Sequence, residues 1–197
     1  MTKARMALAA GLAAATMLAG CNAGGEEGDN ALAGGNAAAV AEPGQETVAA
    51  ALAGDGDLAR LGELARNAGF DTMLGGTGPY TVFAPGNEAF AALGDERTNG
   101  LKGEAMRPQA IALLRAHIVP GVVTRRDIEA ALQRRGSRPV TMGSMSGSPL
   151  TFSRDGDAII VTGADGARAR LVEETLASNG AIQRVDALLV PVEAAGR

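Results

Sequence analysis

The run Tyr80-Thr81-Val82-Phe83-Ala84-Pro85-Gly86-Asn87-Glu88-Ala89-Phe90-Ala91-Ala92-Leu93 changes its period halfway along. Tyr80, Val82 and Ala84 alternate with Thr81 and Phe83, the two-residue period of a strand. Pro85-Gly86 then turns the chain, and Asn87 stands where its side-chain oxygen would cap a following helix that carries Phe90 and Leu93. One short segment thus encodes strand, turn and helix.

Toward the N-terminus, residues 47–53 and 58–68 place apolar side chains at helical spacing (Leu58, Leu61, Leu64, Ala65), and Asn67-Ala68-Gly69 supplies a stop. Toward the C-terminus, residues 104–116 set Met106, Ala110, Leu113 and Leu114 on one helical side and deliver the chain to His117-Ile118-Val119, which Pro120-Gly121 ends. Thr124 and Asp127 have the spacing of a capping box for a further helix through Ile128, Ala131 and Leu132, ending near Gly136. Beyond it the period returns to two. Asp155-Gly156 separates Leu150-Thr151-Phe152 from Ile159-Ile160-Val161, and Asp165-Gly166 separates the latter from residues 167–172, so strands are joined by hairpin turns. Asn179-Gly180 marks another turn, and residues 182–192 read as a last apolar strand. A helix-rich first half followed by an antiparallel meander defines an α+β fold and excludes a doubly wound one.

Three stretches carry a family resemblance. Residues 80–93 closely resemble the first signature box of fasciclin domains, through Thr81, Phe83, Ala84, Pro85, Asn87 and Phe90. Leu113-Leu114-Arg115-Ala116-His117-Ile118-Val119-Pro120-Gly121 is similar to the family's second box, and Asn179-Gly180-Ala181-Ile182 through Asp186 to Pro191 to its last. The resemblance covers residues 46–193 and implies a wedge-shaped antiparallel β-sandwich flanked by helices, with a role in adhesion or extracellular interaction. The sequence departs from the family pattern at Gly86, where Thr is usual, at Ala116, where Tyr often precedes the histidine, and at Gln183, where His is common. The Tyr-His pair is linked to adhesion in some members, so Ala116 removes half of that determinant.

The first 45 residues have other tasks. Lys3 and Arg5, an apolar run over residues 6–18 and the small pair Ala19-Gly20 have the layout of a secretory signal over residues 1–20. That run is too short to span a bilayer as a mature helix. It ends in Leu18-Ala19-Gly20-Cys21, which resembles the lipobox of bacterial lipoproteins, in which the cysteine is acylated and becomes the mature N-terminus. This accounts for the chain's one cysteine: thioether formation needs a nucleophilic sulfur at the membrane surface. Residues 21–45 are Gly, Ala, Asn and Glu with almost no large apolar side chain, the composition of a flexible tether. The expected location is therefore the cell envelope, lipid-anchored at Cys21 and facing the periplasm or exterior, with Asn22 pointing to the outer membrane.

Composition narrows the chemistry. With 18 basic against 22 acidic residues, and Lys3 and Arg5 lost with the leader, nucleic acid is not an expected partner. One cysteine and one histidine exclude an internal disulfide and the usual zinc sites, and no metal or cofactor is expected. His117 is the sole imidazole base open to a hydrolase, yet its position between a helix and an apolar strand suits a structural histidine better. In Gly143-Ser144-Met145-Ser146-Gly147-Ser148, Met145 occupies the place where a nucleophile elbow needs serine, so the stretch reads as a flexible connector. Gly54-Asp55-Gly56-Asp57-Leu58-Ala59 matches a dinucleotide fingerprint only formally, because a helix-like run precedes it. Asp55 with Asp57, and Asp155 with Asp157, read as turn residues, not calcium ligands. Arg125, Arg126, Arg134, Arg135 and Arg138 form the basic concentration of the chain, either a solvated helix face or a surface for lipid headgroups, acidic glycans or an acidic partner. The expectation is a non-catalytic envelope module whose partner is a protein or a surface polysaccharide; a carrier for a small apolar ligand and a hydrolase using His117 are the competing readings.

Overall fold

The computed structural model describes residues 44–191; the leader, Cys21 and the tether as far as residue 43 lie outside the described residues, as do residues 192–197. The Thr47 hydroxyl opens α1 (Val48–Gly54) by accepting from Ala50 N–H. A 3-10 turn (Gly56–Leu58) leads to α2 (Ala59–Asn67), which turns Leu61, Leu64 and Ala65 inward and is followed by Gly69 at φ 81°. Then come α3 (Asp71–Leu74), β1 (Tyr80–Pro85), α4 (Asn87–Ala91), α5 (Asp95–Gly100), α6 (Arg107–His117), β2 (Ile118–Pro120) and α7 (Arg125–Arg134). The meander follows as β3 (Val140–Gly143), β4 (Pro149–Asp155), β5 (Ala158–Thr162), β6 (Arg168–Ala177) and β7 (Gly180–Val185).

The strands form one seven-stranded sheet in the order β2-β1-β7-β6-β5-β4-β3. All pairs are antiparallel except β1 with β7, which run parallel from Tyr80 opposite Gly180 to Pro85 opposite Val185. Strand β6 serves both halves: residues 168–170 pair with β5, residues 171–177 with β7, and the register slips between Leu171 and Glu173. Such a bulge bends a strand and sharpens its twist. Strands β1 and β4 stand four places apart, about 19 Å in a flat sheet. Yet the Phe83 and Phe152 rings on them are 5.3 Å apart, so the sheet folds over on itself as a sandwich.

Two cores follow from the alternation on β1. Val82 and Ala84 face the helices and pack with Leu52, Leu61, Phe90, Leu114 and Ile182. Phe83 faces the other way, with Phe152, Val161, Leu171, Val185 and the α7 residues Ile128 and Leu132. The α+β class and the wedge sandwich flanked by helices are thus the architecture of the described residues, with a mixed rather than a purely antiparallel sheet.

Three local expectations change. Asn87 does not cap its own helix: Gly86 is the N-cap of α4, and Asn87 instead accepts from Arg60 N–H at 3.0 Å and donates to Gly56 O at 2.7 Å, capping α2 from a distance. The last strand ends at Val185, because Asp186 turns to pair with Arg170 and the chain peels off to bury Leu188 and Leu189. The stretch 143–148 is no flexible connector but an anchored hairpin turn, with Ser144 N–H bonded to Ser148 O, Met145 N–H to Ile118 O and Ser146 N–H to Arg115 O. It joins β4 to β3, a strand that the period over residues 140–143 is too short to announce. The capping box stands: the Thr124 hydroxyl accepts from Asp127 N–H, and the Asp127 carboxylate, held below its usual pKa by the hydrogen bond from Thr124, accepts from Thr124 N–H.

Candidate functional site

His117 is completely buried at the α6–β2 junction. Its Nε2 lies 3.0 Å from Leu189 N, which has a proton to give, so Nε2 is the acceptor. The ring proton therefore sits on Nδ1 and is donated to Leu113 O at 2.8 Å. Burial disfavours the charged ring and lowers its pKa to about 4, against a smaller opposing effect of the Leu113 hydrogen bond. Protonation would also set a second N–H against that of Leu189. Both nitrogens tie framework elements together, and neither is free to take a proton from a nucleophile.

This geometry carries a pH prediction. The folded pKa lies below the unfolded one near 6.5, so the unfolded chain binds the extra proton. The stabilisation is complete above pH 6.5 and is lost as pH falls toward 4, with a total of about 3 kcal/mol. Between pH 7.5 and pH 5 the unfolding free energy should drop by about 2 kcal/mol. Glu63 and Asp127, whose pKa values are also lowered, by hydrogen bonds from Lys102 and Thr124, lose their stabilising contribution only as pH falls through the ordinary carboxylate range and below it. Urea titrations at several pH values check this, and His117→Gln should flatten the slope; a wild-type profile level over that interval contradicts it.

The other motif residues also serve the framework. Asn179 accepts from Val48 N–H at 2.8 Å and donates to Leu74 O at 2.8 Å and Gly76 O at 2.6 Å, pinning α1 and the end of α3 to β7. Gly180 follows because a Cβ there would lie 2.0 Å from Tyr80 O across the parallel pair. The Thr81 hydroxyl donates to Gly121 O and accepts from Val123 N–H, both at 2.8 Å, holding the β2–α7 loop on the sheet. Phe83, Ala84 and Phe90 are core, and Pro85 ends β1 against Val185. Asp186 accepts from Arg170 N–H at 2.7 Å and pairs with its side chain at 3.4 Å, while Pro191 is exposed at the last described position.

Gln183, fully buried on the sandwich side, donates to Val123 O at 3.1 Å and Glu174 Oε2 at 2.7 Å. Turning its amide over would set oxygen against oxygen at both contacts, so the observed orientation is the chemically required one. The same Glu174 oxygen accepts from Arg125 N–H. Nothing in the sequence pointed to Glu174, which lies nine residues from its partner Gln183.

The five arginines do not act as one group. Arg125 is half-buried and donates to Leu171 O at 2.9 Å, so it belongs to the framework. Arg126, Arg134, Arg135 and Arg138 are exposed and make no ion pair among the described residues. Asp55 and Asp57 are claimed by Arg184, at 2.6 and 3.1 Å. Among the described residues no group of three or more His, Cys, Asp or Glu is placed to hold a metal.

Among the described residues, three surface clefts stand out. One of about 200 Å³ is lined by Asn67, Lys102, Glu104 and Arg107. One of about 240 Å³ beside the bulged Val172 is lined by Asp57, Asn87, Glu88, Arg184 and Asp186. A shallow depression of about 500 Å³ on the outer face of β5 and β6 holds Asp155, Ile160, Arg168 and Arg170. Charged side chains line all three, and His117 lines none of them.

The result is a wedge-shaped α+β sandwich whose motif side chains pin helices, loop and chain end to the sheet. The chain belongs to the fasciclin domain family, whose model matches residues 56–191. Fasciclin domains are adhesion and interaction modules. Protein sll1483 of Synechocystis sp. is 27% identical over 146 residues, which cover 74% of this chain and 73% of that protein. Transforming growth factor-beta-induced protein ig-h3 of Sus scrofa is 32% identical over 124 residues, 62% of this chain but 16% of the larger protein. The solved FAS1 domain pair of the insect cell adhesion molecule Fasciclin I has the same fold, with a TM-score of 0.65 at 16% identity over 75% of this chain and 52% of that one.

Proposed function

We propose that this chain is a lipid-anchored cell-envelope adhesion or interaction module, held to a membrane through Cys21 and presenting its fasciclin domain to a protein or a surface polysaccharide on the periplasmic or outer side. The observation that carries the reading is the fold itself, shared with a domain pair of a cell adhesion molecule. The sequence Leu18-Ala19-Gly20-Cys21 supports the anchor, and Asn22 favours the outer membrane. Acyl chains contribute about 0.8 kcal/mol per buried methylene, so several on one residue hold a soluble domain firmly. A hydrolase would need a free imidazole nitrogen at His117, and a carrier would need an enclosed apolar cavity. Neither matches the backbone-bound ring or the charged clefts described above.

Attachment of cells that express the wild type or Cys21→Ser, scored on envelope-coated surfaces, tests this function. The wild type should raise attachment and the serine variant should not, although its domain is secreted and folded. Attachment equal to that of cells lacking the protein overturns the reading.

A further inference from the structure

Charge is unevenly distributed along the fold. Residues 44–104 carry nine carboxylates and four cations, whereas residues 125–154 carry six arginines against Asp127 and Glu129. The fold gathers most of these arginines at one corner. Arg134 and Arg135 close α7, and the chain then reverses through Gly136 and Ser137, both left-handed at φ 61° and 63°. Ser137 N–H donates to Leu132 O and Arg138 N–H to Arg135 O, so Arg138 is folded back beside the helix end. The register that sets Val140 opposite Phe152 carries Arg138 to the level of Arg154 on β4, the strand α7 packs against.

Arg134, Arg135, Arg138 and Arg154 make no side-chain hydrogen bond or ion pair among the described residues. By contrast Arg60, Lys102, Arg107, Arg170 and Arg184 are each matched with a carboxylate. Of the acids nearby in sequence, Asp127 is engaged by Thr124 in the capping box, and neither Glu129 nor Asp155, the residue next to Arg154, forms an ion pair with these arginines. A cation or two at a helix C-terminus is accounted for by the helix dipole. Four uncommitted guanidiniums around one turn of an acidic protein are more than that explains.

We propose that this corner, formed by Arg134, Arg135, Arg138 and Arg154, binds an acidic polysaccharide. The inference rests on the reading of the domain as an envelope interaction module and names its ligand class. Planar guanidiniums match carboxylate or sulfate oxygens in pairs, and several in a row on an open surface suit a polymer better than a single small anion. A protein partner would need an apolar or aromatic anchor at the centre. Among the described residues, the exposed large apolar side chains are Val122, beyond the opposite end of α7, and Val172, at the β6 bulge. Phe83, Phe90 and Phe152 are buried, and the half-buried Phe70 and Tyr80 pack against the core on the helical side, which leaves charge rather than ring stacking to hold a sugar chain at this corner.

The test measures binding of the detergent-solubilised full chain to immobilised polygalacturonate and to neutral dextran, across a salt series. The wild type should bind polygalacturonate alone and weaken steeply with salt. The triple variant Arg134→Glu, Arg135→Glu, Arg138→Glu should lose about 10-fold or more in affinity with an unchanged melting temperature. The control pair Arg66→Glu, Arg97→Glu, exposed cations elsewhere, should stay near wild type. No binding to polygalacturonate, equal loss in the control, or preference for phosphatidylglycerol vesicles or DNA overturns the proposal. A wild type that promotes cell attachment but ignores polygalacturonate defeats this inference alone, whereas failure in both assays defeats the interaction module as well.

Discussion

Phe83→Ala should lower the unfolding free energy by about 3–5 kcal/mol, the range for removing a fully buried aromatic from a packed core. Phe83 is completely inaccessible, and its ring meets Phe152 at 5.3 Å and 45°. The contact joins β1 in one half of the folded sheet to β4 in the other, so the cavity would open along the line on which the sandwich closes. Aromatics are 3% of the residues, and Phe152, the ring beside it, would lose its partner. A domain of this size has only about 5–15 kcal/mol in total. Urea unfolding of the variant checks the value; a loss below about 1 kcal/mol would mean that the two halves do not meet at this pair.

Asn179→Ala should cost about 3 kcal/mol or more, because it strands one donor and two acceptors at once. Val48 N–H is the first helical donor of α1, which has no intrahelical partner. Asn179→Asp should rescue little: the carboxylate still accepts from Val48 but presents negative oxygen to the carbonyls of Leu74 and Gly76. Hydrogen exchange is the more telling readout. Protection of α1 should fall first, while that of β4 and β5, paired on the far half of the sheet, should track global stability.

Local chemistry made much of this fold legible. The period-two runs on either side of Asp155-Gly156, the Thr124 to Asp127 capping box and the stop at Gly69 are each decided by residues a few positions apart. What escaped depends on partners far along the chain. The parallel pairing of β1 with β7 joins Tyr80 to Gly180, and the oxygen of Asn87 finds a helix that begins before it. The apolar pattern extends the last strand too far because Leu188 and Leu189 are as apolar as strand residues, although they are buried off the sheet. Helices α3 and α5, of four and six residues, are too short to show a period. Among the site residues, His117 is legible as structural from its apolar surroundings. That Arg125 belongs to the framework while its neighbour Arg126 does not is fixed by Leu171 O and Glu174, nearly fifty residues away.

The most direct test of the anchored module is the intact mass of the protein extracted from the membrane fraction of cells expressing the wild type or Cys21→Ser. The account predicts a wild-type chain that lacks residues 1–20, begins at Cys21 and is heavier by its acyl chains, with an unacylated serine variant absent from the membrane. A wild-type chain recovered soluble, with an unmodified Cys21, would contradict it.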